Sequence, residues 1–313
     1  MKLSRLRLFV ALLVVALASA LPAAQPKPLF SFHSNAWLNL HHYIRANARG
    51  GPAPTGLSEA ERAQWTAGVE FYKPYAARDV LFDQGMVDIK DALHGAEDKT
   101  SLDGVKIDPA LKSMLERVMP IYQRRWWPEH DRGNREWITA VQPLLDRHGA
   151  AISQAITRTY NVAWPSEPIP VDVSVIAGPV GAYGTANPPH VMISSTDTAL
   201  RGFRSLEMLF HEGSHGLGLF PVLIQPLGQA AADQKVKLPP QLWHAVLFYT
   251  AGELTTRELK ARGIDYTPYA NAAFYDNMCG AGCLDKMVKH WGPHLDGTRS
   301  SADALSALVA AFK

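Results

Sequence analysis

Cysteine is nearly missing from this chain. Two occur in 313 residues, and nothing near Cys279 and Cys283 completes a thiolate metal tetrad. They sit four apart, so in an oxidising compartment a local disulfide is expected. A loop that short would shape a turn more than stabilise a domain. Charge is also scarce, at 19 % of residues with a formal net of +2. That balance argues against a nucleic-acid or anionic-membrane partner. No repeat or low-complexity tract appears. No Gly-x-Ser-x-Gly elbow marks a serine hydrolase, since Gly213-Ser214 lies inside a histidine motif. Asp83, Asp88 and Asp91 lack the Gly-containing loop of a calcium hand and read as a solvated helix face.

Long apolar runs are absent too. The one candidate, Leu8 to Ala18, is too short to span a bilayer comfortably, and no second follows. It is preceded by Lys2, Arg5 and Arg7 and followed by Ala18-Ser19-Ala20. This order of charged, apolar and small residues predicts a secretory signal over residues 1–20 and a secreted or periplasmic protein. Removing its three cations takes the formal charge from +2 to −1, so the pI near 8.5 is partly a targeting feature. The 47 % hydrophobic remainder can bury a large core, with no disorder signature.

What is present is His211-Glu212-Gly213-Ser214-His215. Two histidines four apart on a helix project from one face, and zinc takes neutral imidazole nitrogens readily. Glu212 points about a quarter-turn away, which suits a base taking a proton from a water at the metal rather than a ligand. Leu206, Leu209, Phe210 and Leu217 lie on the opposite face, giving the helix an apolar back. A helix is expected from about Gly202 to Gly216. Two strands are expected before it, over Val171–Ile176 and His190–Ser195, with Gly178 to Pro189 as a turn-rich loop.

The first half reads as helical. Segments are expected at Ser34–Ala48, Glu59–Val69, Pro74–Leu93, Pro109–Val118, Tyr122–Trp127, Glu136–His148 and Ile152–Tyr160. His33, His41 and His42 read as packing residues, and Trp126-Trp127 as core filler. The fold class is α+β, predominantly helical, with a small sheet beside the histidine helix. The chain divides into a signal peptide (1–20), a helical N-terminal lobe (21–160) and a catalytic lobe (161–313), the last two possible as one continuous domain.

A catalytic zinc site usually has three protein ligands and an open position. The metzincin continuation requires a third histidine where this chain has Pro221, so that pattern fails. The long helix expected over Gln241–Arg262 offers Glu253 and Glu258. Gly252 beside Glu253 allows close helix approach and favours Glu253. Glu258 stays open, with Asp233 and Asp265 behind it.

Two strands feeding a helix with HExxH, joined by a later Gly252-Glu253, resemble the gluzincin peptidases over about Ser205 to Arg257. The resemblance implies a zincin-like fold, bound Zn2+ held by His211, His215 and Glu253, and Glu212 as catalytic base. It implies hydrolysis of peptide bonds in a peptide or protein substrate, with an edge strand along the cleft. The neprilysin-like branch has an acid four residues after its ligand glutamate to orient a zinc histidine; here that position is Arg257. Glu207, one turn before His211, is the substitute acceptor considered. Tyr249, His244, Tyr183 and Tyr275 are the candidate donors to a tetrahedral oxyanion. Two other readings remain, a metal-dependent cell-wall amidase and a non-catalytic zinc-binding structural protein.

Overall fold

Among the described residues, four strands form one mixed sheet between two layers of helices. The computed structural model describes residues 27–51, 55–178 and 181–313; the expected export signal lies outside them. The strands are β1 (Phe30–His33), β2 (Ile169–Ser174), β3 (Ala182–Ala186) and β4 (Pro189–Ser194), in the order β1-β2-β4-β3. β1 and β4 run parallel to β2, while β3 is antiparallel to β4 and forms one edge. Side chains alternate across a strand, and this sheet is buried on both faces. Val171, Val173, Val191 and Ile193 enter one core, whereas Met192 and Tyr183 enter the other.

The helices of the first half are α1 (Ala36–Ala48), α2 (Glu59–Ala76), α3 (Gln84–His94), α4 (Pro109–Arg125) and α5 (Trp127–Tyr160). Asn35 caps α1, and Ser58 with Glu61 forms a capping box on α2, satisfying amides that the first turn leaves unpaired. The helix expected at Pro74–Leu93 is instead two, because the chain breaks at Ala77 and restarts after Asp83. That residue caps α3 through the Met86 amide and pairs with Arg78. Conversely, the two helices expected across Glu136–Tyr160 are one helix of 34 residues. Gly149, where the expected helices part, lies inside this helix, and a Cβ there would press on Leu29 at 3.2 Å, with Phe210 also close. Its missing side chain serves packing, not a turn.

The second half supplies α6 (Phe203–His215), α7 (Gln225–Gln234), α8 (Leu242–Ala261), α9 (Ala272–Cys279), α10 (Cys283–Lys286), α11 (Gly292–Leu295) and α12 (Ser301–Ala310). π-helical turns occur at Phe220–Ile224 and Met287–Trp291. Cys279 and Cys283 are bridged. β1 and α5, from before residue 160, share a core with α6 and α8: Phe30, Trp137 and Ile156 pack in one cluster with Leu209 and Val246. A second cluster joins α1 through α4 to the other sheet face. The chain is therefore α+β and mainly helical. No helix of the described residues is long and apolar enough to cross a membrane.

β1 was not expected, and β3 falls within the segment read as a loop. The β3 sequence Ala-Tyr-Gly-Thr-Ala has a glycine at its centre, which weakens any strand signal. The structure explains it. A Cβ on Gly184 would run into the backbone carbonyl of Glu212, so the strand crosses the histidine helix where only glycine fits. Edge strand and motif are thereby held against each other.

Candidate metal centre

α6 begins at Gly202, whose φ of +59° lies in the region that favours glycine, and stops at Gly216. On it, His211 and His215 lie on one face as their spacing requires. The facing helix α8 adds His244 from its first turn. The three ring centroids stand 5.1 Å apart in each pairing, and Nε2 of His211 is 3.1 Å from Nε2 of His244. One nitrogen from each ring lies within 4.8 Å of the others. Tetrahedral zinc with Zn–N of about 2.0–2.1 Å needs nitrogens about 3.3 Å apart, so small ring adjustments would complete the set.

Aromatic side chains wall the cluster. Phe248, one turn after His244, stacks on His211 at 3.5 Å between centroids. Trp243 lies parallel to His244 and edge-on to His215. Burial in this apolar setting penalises the imidazolium form. It holds His215 down to about 3, His244 to about 4 and His211 well below 6.5, where the neighbouring rings lower it further. All three are neutral at pH 7, the form a metal requires.

The same shift carries a stability consequence. His41, buried in the N-terminal core against the Tyr72 hydroxyl, is held to about 3 by burial and then by Arg45. In the unfolded chain these histidines titrate near 6.5. Between that value and about 4, the unfolded state binds protons that the native state does not. Native stability therefore rises with pH in this window and is lost as pH falls. At pH 5 each fully buried ring costs on the order of 2 kcal/mol. His94, raised by its bond to Asp172, works in the opposite sense, as do the buried carboxyls of Glu207 and Glu212, raised to about 7 and about 8, so the more numerous neutral rings set the net sign. Metal-free protein should thus show a melting temperature that falls from pH 7 to 5, and falls more steeply in the Glu212→Gln variant, which lacks one opposing carboxyl; a rise over that range would contradict the buried neutral rings.

Glu212 is 6 % exposed, with Oε2 3.8 Å from His215 Nε2. Burial pushes its carboxyl up to about 8, partly offset by the Gly184 amide. The carboxyl thus stands beside three converging imidazoles, where a cation would favour its ionised, proton-accepting form.

Glu253 is not part of this cluster. Its Oε1 accepts from Arg257 Nε at 2.7 Å, one turn along α8. The reason is helical arithmetic. Nine residues separate Glu253 from His244, which places it about 180° around and about 13.5 Å along the helix axis. With α8 docked by His244 and Phe248, Glu253 faces away. Glu258 bonds His148 on α5 and Arg262, while Asp233 and Asp265 are exposed. Among the described residues the group that includes the two motif histidines is completed by a third histidine, not by an acid. Gly252 does mark a close helix approach, but its neighbour is Glu207 Oε1, 3.1 Å from where a Cβ would stand.

Glu207 itself is buried, and burial raises its carboxyl to about 7. Its Oε2 accepts from the Tyr266 hydroxyl and, at 3.0 Å, from the Tyr269 amide. It fastens that loop to α6 rather than orienting His211, whose Nδ1 has no well-formed bond, the Leu247 backbone being the acceptor nearby. Of the four expected oxyanion donors, only His244 is at the cluster. Tyr249 lies among Glu253, Arg257 and Asp296, and Tyr275 is buried near Glu207 and Tyr249. Tyr183 bonds His42 on the other face of the sheet. Tyr269, which the sequence did not single out, senses the charge of Glu212. It follows α8 in a segment without periodicity, so no pattern could have flagged it.

Compared with protein-family models, curated proteins and solved structures, the chain has no match.

Proposed function

We propose that this chain is an exported, zincin-like zinc hydrolase that cleaves peptide bonds, with His211, His215 and His244 as its metal ligands and Glu212 as its general base. The observation that carries the reading is the convergence of three neutral imidazoles beside a buried carboxylate, with no fourth protein ligand grouped with them among the described residues. A closed structural site would use four. The ligand set departs from the gluzincin pattern, so the reading keeps the HExxH chemistry and drops the carboxylate ligand. Export rests on the signal-like residues 1–20.

Zinc held there would supply a Lewis acid that polarises a carbonyl and acidifies a water. Glu212 accepts the water's proton at its carboxylate, whose ionised form a cation held by the adjacent rings would favour over the neutral acid that burial alone favours. The same carboxyl then hands the proton to the leaving amine. Tyr269, whose amide is held by Glu207 and whose ring lies 6.4 Å from that of Phe248, is the residue assigned to stabilise a tetrahedral oxyanion. Trp243 and Phe248 exclude water from one side of the rings. A peptide substrate fits this frame because, among the described residues, β3 pairs only with β4. Its free edge, crossing α6 at Glu212, can hydrogen-bond an extended chain.

The test is metal removal. Dialysis against a chelator should abolish hydrolysis of a mixed peptide library by the mature protein, and one equivalent of zinc at this site should restore it. Cleavage that survives full chelation, or no cleavage by zinc-loaded protein, would defeat the proposal.

A further inference from the structure

On the opposite face of the sheet lies a second histidine cluster that the proposed chemistry does not use. His94 ends α3, Asp172 lies on β2 and His190 on β4. Asp172 Oδ2 is 2.7 Å from His94 Nδ1 and 2.8 Å from His190 Nε2. The other ring nitrogen of His190, Nδ1, faces Asp91 Oδ1 at 3.1 Å. Asp172 is completely buried, yet its Oδ1 has no hydrogen-bond partner. Lys90, also buried, reaches Asp91 at 3.0 Å and Thr185 at 2.6 Å. Asp91 therefore does not belong to the solvated face that its helical spacing suggested.

Both nitrogens of His190 face carboxylate oxygens, which only accept. A neutral imidazole carries one N–H, so one of its two contacts sets lone pair against lone pair. Either a second proton or a cation must lie between. A cation explains more of the arrangement. The Nδ1–H bond to Asp91 would fix the tautomer and turn the Nε2 lone pair toward an ion, the usual carboxylate–histidine–metal relay. His94 Nδ1 supplies a second nitrogen, and the unpartnered Asp172 Oδ1 supplies a spare oxygen. One ligand atom from each of these three residues lies within 4.8 Å of the others. We infer that His94, Asp172 and His190 bind a divalent first-row transition ion, in a second metal site on the far side of the sheet.

Two imidazoles and one carboxylate suit zinc and its neighbours rather than calcium or magnesium. The present 2.7 and 2.8 Å separations are hydrogen-bond lengths; ligand atoms around tetrahedral zinc stand about 3.3 Å apart. The ion must therefore spread the set by about 0.5 Å. His94 is the group free to move, because it ends a helix and its side chain is 26 % exposed. That exposure also leaves a coordination position open to water. A bound ion would fasten the end of α3 to β2 and β4, tying the N-terminal helices to the sheet.

The experiment separates the two sites. The His211→Ala/His215→Ala double variant, freed of metal and then given zinc alone, should retain one zinc per chain after gel filtration. Its melting temperature should rise with added zinc. Adding His94→Ala should weaken that binding by about 100-fold or more and remove the thermal shift, with far-UV circular dichroism unchanged. Asp172→Asn in the same background should do likewise. A double variant that holds no zinc would overturn the inference. So would a His94→Ala triple variant, folded, that still holds one.

Discussion

His244→Ala should strip zinc from the first site as completely as His211→Ala does, whereas Glu253→Ala should leave it bound. The His244 ring stands 5.1 Å from both motif histidines, and its Nε2 lies 3.1 Å from that of His211. Removing it leaves two protein ligands. Outer groups that merely orient ligands cost about 10–100-fold in affinity when lost, and a direct ligand should exceed that. Glu253 instead pairs with Arg257, and both side chains are about one-third exposed. Arg257 keeps Asp296 and the Leu295 carbonyl, so losing Glu253 should cost less than about 1 kcal/mol of stability. Metal analysis of purified variants, with His94→Ala as a common background to silence the second cluster, decides between them. Zinc retained by His244→Ala and lost by Glu253→Ala would reinstate the carboxylate ligand.

That contrast shows which parts of the site a linear sequence can carry. His211, Glu212 and His215 lie within one helical turn and a half, so local geometry alone sets their relative placement. The third ring depends on how α8 is rotated against α6, and nothing local fixes that. Gly252 pointed correctly to a close approach, but it meets Glu207, and the helix face it implied for Glu253 is the wrong one. His244 was visible only as a candidate oxyanion donor, because the gluzincin pattern asked for an acid as the third ligand. The second cluster was harder still, since Asp172 is 78 residues from His94 and 18 from His190. Each residue alone looks like an ordinary strand or helix-end position. For the fold, strong alternation in β2 and β4 and the helical stripes were legible. β1 and β3 were not, being short, and β3 being shaped by the need to clear Glu212.

Glu212→Gln should keep the metal and lose the reaction. Glutamine preserves the volume of a side chain that is almost fully buried, and its carbonyl oxygen can still accept from the Gly184 amide. The three imidazoles are untouched, so zinc content should match the parent. What disappears is the basic oxygen beside His215. General-base catalysis contributes about 10²–10⁴ in rate, so kcat should fall by at least about 100-fold, equivalent to about 2.7 kcal/mol of barrier. KM should change little, because a base acting in the transition state contributes little to ground-state binding. The pairing of readouts is what gives the result its force. A purely structural role for Glu212 would lower melting temperature and zinc content together with activity. A ligand role would lower zinc as His211→Ala does. Hydrolysis within a few-fold of the parent, with zinc in place, would show that another group removes the proton and that the carboxylate under β3 is only a buried acid.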